Sequence, residues 1–271
     1  MNETATSTDA TMAVFLDLEN LVLGAKDAGF PFDIRLVLER LLLRGHIVVK
    51  KAYCDFDRYR DFKRSLHETA FELIEIPHVR QSGKNSADIR MVVDALDLCY
   101  TKQHLDTFVI LSGDSDFSPL VSKLRENAKT VVGVGVKNSS SDLFINNCDQ
   151  FIYYDDLNRE KQKVQTKRTA RKSVVKTTGA AAPAKSEDGP TMEQALDQLV
   201  ETLVALEQER GEDRIYGSML KPALKRINPG FSERAHGFQS FNDMLRAAEK
   251  QGLIQLESEG KSRNFTVRSV K

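Results

Sequence analysis

Four aspartates in the N-terminal half of the chain occur where carboxylates could perform chemistry. Asp17 ends the apolar run "AVFLD", with Asn20 three residues later. Asp114 and Asp116 follow "TFVILSG", and Asp88 lies in "SADIRMVVDAL". Carboxylates held close together repel one another unless a cation joins them. Oxygen ligands without His or Cys favour Mg²⁺ or Mn²⁺, ions that activate water and neutralise a phosphodiester during its hydrolysis.

Each of these aspartates also has a structural explanation when it is taken singly. Asp17 can cap the turn that follows it, and Asp116 can be the N-cap of the helix predicted from "FSPL". Asp88 at a helix start is favoured by the helix dipole. Four acids brought together from separate segments are better explained by a cation, so the elements that position them decide between the two interpretations.

Short apolar runs alternate with amphipathic stretches over the first half of the chain. The runs are rich in Val, Ile and Phe and predict strands, and the stretches between them predict helices. This alternation is typical of a three-layer α/β domain with a helix-covered parallel sheet. Ligands bind beyond the carboxyl ends of such strands, the edge at which Asp17, Asp114 and Asp116 are expected. Gly113 is expected to permit a sharp exit from its strand.

The segment "SADIRMVVDAL" predicts an amphipathic helix that brings Asp88 to the same edge. At 100° per residue its core stripe would consist of Ile89, Val92, Val93 and Leu96. Asp88 flanks that stripe at the end facing the rim of the sheet. Asp94 points away from its centre and is the weaker candidate.

Other residues near these acids allow further interpretations. Lys84, in the loop "RQSGKNSAD", could hold a substrate phosphate or be a solvated loop lysine. Ser112 and Ser115 are candidates for turn, metal-shell or substrate contacts; without a histidine partner in reach they do not indicate a serine hydrolase. The glycines of "GVGVKNS", residues 133–139, lack the Walker and GxGxxG spacings, which argues against a nucleotide-binding domain.

Composition limits the class of protein. The chain has 271 residues, room for one large or two ordinary domains, and no apolar run approaches the ~18 residues that span a bilayer. Cys54, Cys99 and Cys148 are far apart, which fits a reducing cytosol better than disulfides or a zinc site. The polar N-terminus lacks the order of a secretory signal. We therefore expect a cytoplasmic protein without membrane contact.

Charge divides the chain into three blocks. Residues 1–157 carry a net charge of −6, residues 158–190 carry +6, and residues 191–271 carry 0. The predicted organisation is a loose tail (1–11), a catalytic α/β domain (12–157), a basic flexible linker (158–190) and a smaller domain (191–271). The linker is either a solvated spacer or a non-specific contact to phosphates.

The last block predicts three helices followed by a β-hairpin, the pattern of a winged helix-turn-helix. Lys221 and Lys225 lie one turn apart on the short helix "GSMLKPALKRI" and are candidate RNA contacts. Arg234 and His236, in the loop "SERAHG", are further candidates. Three phenylalanines could stack on bases but are better explained as core: Phe231, Phe238 and Phe241.

Four ordered motifs resemble the NYN domain, LabA-like branch, of the PIN-like nuclease superfamily: "VFLDLENL", "KNSADIRMVVDAL", "ILSGDSDFSPL" and "SSDLFINNCDQFIYYDDL". The resemblance covers roughly residues 12–157. It implies a Rossmann-like sheet and an acidic cluster that holds Mg²⁺ or Mn²⁺ for RNA cleavage. The implied cluster consists of Asp17, Asp88, Asp114 and Asp116, with Asn20 completing the first motif.

The stretch from Ile215 to Ile254 is similar to the OST-HTH, or LOTUS, domain. That resemblance implies a winged helix that binds RNA and, in some animal members, a helicase partner. The zero net charge of residues 191–271 argues against strong non-specific DNA binding.

Three functions are consistent with these observations. The first is a metal-dependent ribonuclease that acts as an endonuclease, with RNA held by the linker and the winged helix. The second is an RNA-binding or regulatory adaptor whose nuclease fold is weak or silent. The third is a phosphatase or DNA-processing nuclease that uses the same acids. The RNA target, the choice between Mg²⁺ and Mn²⁺ and the oligomeric state are not encoded in any motif.

Overall fold

A computed structural model describes residues 9–76, 86–162, 191–211, 214–258 and 265–270. These residues form two compact units, the first built mainly from residues before 163 and the second mainly from residues after 190. Lys84 and most of the predicted linker lie outside the described residues, as does most of the predicted tail. Across the described parts of the chain, no helix combines the length and hydropathy that a membrane crossing requires.

The first unit is built on the six-stranded parallel sheet that the alternating pattern predicts. Its strands are β1 (Ala10–Asp17), β2 (Gly45–Cys54), β3 (Glu72–Glu75), β4 (Thr107–Leu111), β5 (Thr130–Gly135) and β6 (Gln150–Tyr153). Their order across the sheet is β3-β2-β1-β4-β5-β6. The chain therefore reverses its direction of winding between β1 and β4, which places a ligand-binding crevice at the carboxyl ends of these two strands.

Seven helices accompany the described strands of this unit. They are α1 (Leu18–Asp27), α2 (Ile34–Leu42), α3 (Arg60–Glu68), α4 (Ser86–Thr101), α5 (Ser118–Glu126), α6 (Asp142–Asn147) and α7 (154–162). The sequence pattern did not predict α1 or α7. The first five residues of the predicted linker, 158–162, continue α7.

The core lies around the two central strands. β1 and β4 pair in parallel with Leu16 opposite Leu111, and every residue of β4 is buried. Uninterrupted burial follows from the helices that cover both faces, because no face is left for alternating polar residues. The predicted acids Asp17 and Asp114 therefore lie at or just after the ends of the two central, buried strands.

The predicted core stripe of α4 was correct for Val92 and Leu96, which pack against the core, and wrong for Ile89 and Val93. Its buried residues are Met91, Ala95 and Cys99, whereas Ile89 and Val93 are 63% and 56% exposed. Both faces of this helix carry apolar side chains, so periodicity alone could not identify the inward one. Asp88 lies three residues before Met91 and so belongs to the inward face, rather than to its flank.

The second unit contains the predicted helices and hairpin. Its elements are α8 (Met192–Arg210), α9 (Gly217–Ile227), α10 (Phe241–Lys250), β7 (Ile254–Ser258) and β8 (Phe265–Ser269). Thr191 and Gln194 form a capping box at the start of α8. β7 and β8 are antiparallel, and Tyr216 bridges to Thr266. The core includes Phe231, Phe238 and Phe241, which confirms their interpretation as core residues.

Candidate functional site

Asp17 is held at the end of β1 by two hydrogen bonds. Its Oδ1 accepts from the backbone N–H of Asn20 at 3.3 Å, which makes Asp17 the N-cap of α1. Its Oδ2 accepts from the Ser112 hydroxyl at 3.1 Å. The predicted capping role is therefore confirmed. Because Ser112 follows β4, the second bond joins the two central strands at their carboxyl ends.

Ser112 continues this connection toward the second pair of acids. Its hydroxyl oxygen accepts from the backbone N–H of Asp114 at 3.2 Å, and Asp114 Oδ1 accepts from that of Asp116 at 3.0 Å. Ser112 itself is fully buried. A hydrogen-bonded line thus runs from Asp17 through Ser112 and Asp114 to Asp116, along the rim of the sheet.

The capping role predicted for Asp116 belongs to Asp114. Asp114 is the N-cap of a 3₁₀ turn, Ser115–Phe117, and no side chain caps α5 after it. An inserted turn separates the end of β4 from the helix, a detail that the sequence pattern does not specify. Asp116 lies inside that turn, and its carboxylate is therefore not required for capping.

Asn20 and Gly113 fix the position of the loop that carries Asp114. Asn20 Oδ1 accepts from the Gly113 N–H at 2.8 Å, and the Gly113 carbonyl accepts from the Ser141 N–H at 2.8 Å. A Cβ on Gly113 would overlap the backbone of Ser139 and Ser140. Glycine is needed here because another loop approaches closely, in addition to any sharp exit from the strand.

Asp88 faces this line of acids from the first turn of α4. Burial, followed by the charges of Asp114 and Asp116, raises the pKa of Asp88 to about 6. Burial also raises the pKa of Asp17, to about 7, with the charges of Asp88 and Asp114 adding to it and its two hydrogen bonds opposing it. The electrostatic coupling shows that the four predicted acids share one region of the rim.

An open groove gives solvent access to two of these acids. It is lined by Asp88, Ile89, Val92, Ser115, Asp116, Ser118, Pro119, Ser122 and Leu143. The apolar side chains that the sequence analysis assigned to the core thus lie beside the carboxylates. Asp88 and Asp116 are therefore the members of the set that a ligand from solvent can approach through this groove.

Asp94, the weaker candidate, has a structural role on the same helix. It accepts hydrogen bonds from Tyr53 at 2.9 Å, Lys51 at 3.2 Å and Arg90 at 3.1 Å. Burial acts to raise the pKa of Asp94, but these bonds and the two cations hold it below its usual value. A carboxylate with three donors is already neutralised, and here it fastens α4 to β2.

The donor set at the rim fits a hard divalent cation by its chemistry. Asp17, Asp88, Asp114 and Asp116 offer only oxygen atoms. A cation would offset the burial that mainly raises the pKa values of Asp17 and Asp88, and the neighbouring negative charges that add to it. Within the described ranges, no three His, Cys, Asp or Glu side chains already stand at the spacing of a metal site. The acids are neighbours, and their side chains are not arranged as a finished coordination sphere.

The predicted contacts in the second unit have different settings. Lys225 and Arg234 are exposed. Lys221 forms an ion pair with Glu233 at 2.7 Å and lies over the Phe241 ring. His236 is buried, with Nδ1 at 2.8 Å from the Ser232 carbonyl oxygen. Exposure therefore favours the first two as contacts to a partner.

The sequence analysis missed a cation beside the acids. Arg58 follows β2 and pairs with Glu19, two residues beyond Asp17, at 3.4 Å. An arginine shortly after a predicted strand, in "CDFDRYRDF", was the available signal. The same edge of the sheet thus carries basic as well as acidic side chains.

The fold and the site define a parallel α/β protein with clustered carboxylates where the winding reverses. Residues 11–155 match the NYN domain, more than half of the chain, and the chain belongs to this family. The expectation drawn from the sequence motifs is confirmed to that extent. The family is grouped with the PIN-like nucleases.

Two similar proteins and one solved structure each match about half of the chain. An uncharacterized protein of Methanocaldococcus jannaschii is 24% identical over 140 residues, 51% of this chain and 55% of that protein. The low amplitude and bright protein LabA of Synechococcus elongatus is 24% identical over 160 residues, 54% of this chain and 84% of LabA. The crystal structure of a Vibrio parahaemolyticus protein of unknown function is 25% identical in sequence, with a TM-score of 0.49. The match covers 55% of this chain and 95% of the Vibrio chain.

Proposed function

We propose that the protein is a metal-dependent ribonuclease that cleaves RNA phosphodiesters internally at the rim between β1 and β4. The observation that carries this proposal is the hydrogen-bonded line from Asp17 to Asp116, with Asp88 coupled to it electrostatically. Clustered carboxylates with raised pKa values are expected where charge must be compensated by a ligand.

Asp17, Asp88, Asp114 and Asp116 would hold Mg²⁺ or Mn²⁺. When bound, such an ion supplies charge neutralisation at the phosphodiester and an acidified water. The protein contributes placement. Ser112 ties Asp17 to the Asp114 loop, and the Asn20 side chain holds the backbone of Gly113.

Substrate binding is proposed for both units. Lys84, which precedes α4 in the sequence, is proposed to contact a substrate phosphate, as the sequence motif suggests. In the second unit we propose RNA contacts at the exposed Lys225 and Arg234, with Lys221 and His236 supporting the same surface from more enclosed positions. The helices and hairpin of the second unit are compatible with an OST-HTH winged helix, and we propose that this unit can also recruit a protein partner.

The test is cleavage of labelled single-stranded and structured RNA with Mn²⁺, comparing the wild type with Asp114→Asn. We expect a loss of at least about 100-fold, because even groups that only support metal ligands contribute about 10–100-fold. Asp97→Asn is the matched control, since Asp97 is exposed on α4, outside the site. Equal cleavage by the wild type and Asp114→Asn would refute the proposal. A DNA strand of the same sequence, added as competitor, distinguishes RNA from DNA processing.

A second candidate is an RNA-binding adaptor with a weak or silent nuclease domain. It is favoured by the observation that the described acids do not already stand at coordination spacing. This candidate predicts RNA binding without metal-dependent turnover. Binding that persists in Asp114→Asn, together with no cleavage by the wild type, would support it.

A further inference from the structure

The rim of the sheet carries a cation on each side of the acids. Following the strand order, Arg58 comes after β2, Asp17 ends β1, Asp114 follows β4, and Lys137 comes after β5. The carboxyl ends of parallel strands meet at one edge. Arg58 and Lys137 therefore lie on the two sides of Asp17 and Asp114 along that edge, with the acids Asp55 and Asp57 just before Arg58 in the sequence.

Arg58 is held at this edge by two contacts. Its Nη1 lies 3.4 Å from Glu19 Oε1, and its guanidinium lies over the Tyr59 ring at 5.9 Å from the centroid. Burial and then the charge of Glu19 and a hydrogen bond to it raise the pKa of Tyr59 to about 12, so this hydroxyl stays neutral. Half of the Arg58 side chain is exposed. An exposed ion pair is worth only about 0–1 kcal/mol, so a phosphate can replace Glu19 as its partner.

Lys137 is held on the other side of the acids. It begins a 3₁₀ turn, Lys137–Ser139, and its backbone N–H donates to Asp155 at 2.8 Å. Two residues further on, the backbone of Ser139 and Ser140 packs closely against Gly113. The carbonyl oxygen of Gly113 accepts a hydrogen bond from the Ser141 N–H. The exposed Lys137 therefore stands on a loop that is packed directly onto the acid-bearing loop.

The spacing of the strands that precede these cations suits a short stretch of nucleic acid backbone. Neighbouring strands are about 4.8 Å apart, so the three intervals from β2 to β5 span about 14 Å. We propose that single-stranded RNA crosses the strand ends from β2 to β5, with Arg58 and Lys137 binding the phosphates that flank the one facing the acids. This inference rests on the proposed function, since it places the substrate at the same site.

Such contacts would position the substrate without selecting its sequence. Arginine and lysine at phosphates fix the register of a nucleic acid, while sequence is read at the bases. Binding through two phosphates also makes the affinity depend on salt, because each neutralised phosphate of a single strand releases counterions.

The test is binding of a fluorescein-labelled, 20-nucleotide oligouridylate to the full chain in EDTA, at several KCl concentrations. Arg58→Ala and Lys137→Ala should each weaken binding several-fold, and each should reduce the slope of log K against log salt by about 0.7, the value for one phosphate of a single strand. Arg58→Lys should keep the slope. Glu19→Gln should strengthen binding, because Arg58 loses its competing anion.

Two matched controls carry cations outside this line. Arg64 is 90% exposed on α3 and pairs with Glu68, and the exposed Lys102 lies just beyond α4, before the start of β4. Arg64→Ala and Lys102→Ala should leave the slope unchanged. A wild type that does not bind, or target variants whose slopes match these controls, would overturn the inference.

Cleavage assays distinguish this failure from failure of the proposed function. If the wild type cleaves RNA with Mn²⁺ while the Arg58→Ala and Lys137→Ala slopes stay at the wild-type value, the path is wrong and the nuclease stands. If both slopes fall but no metal-dependent cleavage occurs, the path stands and the nuclease proposal fails. Unchanged thermal unfolding of each variant excludes a folding defect.

Discussion

The partly or fully enclosed candidate residues of the two units have opposite electrostatic surroundings. In the N-terminal unit, Asp17 and Asp88 are placed near other acids, and their pKa values rise to about 7 and about 6. In the C-terminal unit, Lys221 pairs with Glu233 and His236 bonds to a carbonyl. Acids whose pKa values are raised by burial and by neighbouring charges are candidates for ligand binding, whereas ion-paired or hydrogen-bonded groups are explained by structure. The comparison favours the first unit for the proposed chemistry, and the proposed recognition by the second unit depends on its exposed cations instead.

The same contrast occurs within a single helix. Asp88 and Asp94 both lie on α4, but Asp94 has three donors and a lowered pKa. Only Asp88 combines a raised pKa with access to the open groove. An acidic residue on this helix is therefore a candidate for chemistry because of its neighbours, and not because of its type.

The largest effect that would sharpen the comparison is expected for Asp88→Asn. Loss of this carboxylate should lower the rate of RNA cleavage by at least about 100-fold. The single-turnover rate with saturating protein measures it, and Asp97→Asn on the same helix should cleave at the wild-type rate. A wild-type rate for Asp88→Asn would remove α4 from the site.

Asp17→Asn should stabilise the metal-free protein at pH 8. Because the folded-state pKa of Asp17 lies above its usual 3.8, the folded protein binds the proton more tightly, and stability falls as pH rises from about 4 to about 7. We expect a gain on the order of 1–3 kcal/mol, since one pKa unit corresponds to about 1.4 kcal/mol.

Urea unfolding in EDTA at pH 4 and pH 8 measures this effect. Below pH 4 the advantage of the variant should vanish, because Asp17 is then protonated in both states. Adding Mn²⁺ at pH 8 should stabilise the wild type more than the variant. A variant less stable than the wild type at pH 8 would show that the Asp17 charge is already compensated.

Gly113→Ala should destabilise the first unit through crowding. The added methyl would overlap the backbone at Ser139 and Ser140, and overpacking costs about 1–3 kcal/mol. Gly230→Ala, in the second unit, meets no atom within 4 Å and should change stability by less than about 0.5 kcal/mol. Urea unfolding measures the free energy of unfolding of both variants. Equal values would show that the loop at Ser139 and Ser140 moves away from the added methyl at little cost.

The smallest effects are expected in the second unit. Lys225→Ala and Arg234→Ala should raise the KM for RNA a few-fold and leave kcat unchanged, because a contact away from the reacting phosphate contributes uniform binding. Lys250→Ala, an exposed cation at the end of α10, is the control. A fall in kcat with constant KM would contradict the assignment of recognition to this unit.

Much of the fold could be predicted from the chain. Apolar runs identified all six strands of the sheet, most clearly β1, β4 and β5, because a strand buried on both faces needs an unbroken hydrophobic segment. Helix α1 was missed because it follows β1 without a break, with Asp17 ending one element and capping the next. Helix α7 was missed because its polar, charged residues resemble the linker that follows.

The sequence by itself determined which acids lie at the carboxyl edge of the sheet. Strand ends place Asp17 and Asp114 there, and their residue types make a hard cation the ligand to be expected. Tertiary structure alone decided the rest: the inward face of α4, the link through Ser112, and the presence of Arg58 beside Glu19. Those features depend on which segments pack together, and pairwise contacts between segments distant in sequence leave no periodic trace in either one.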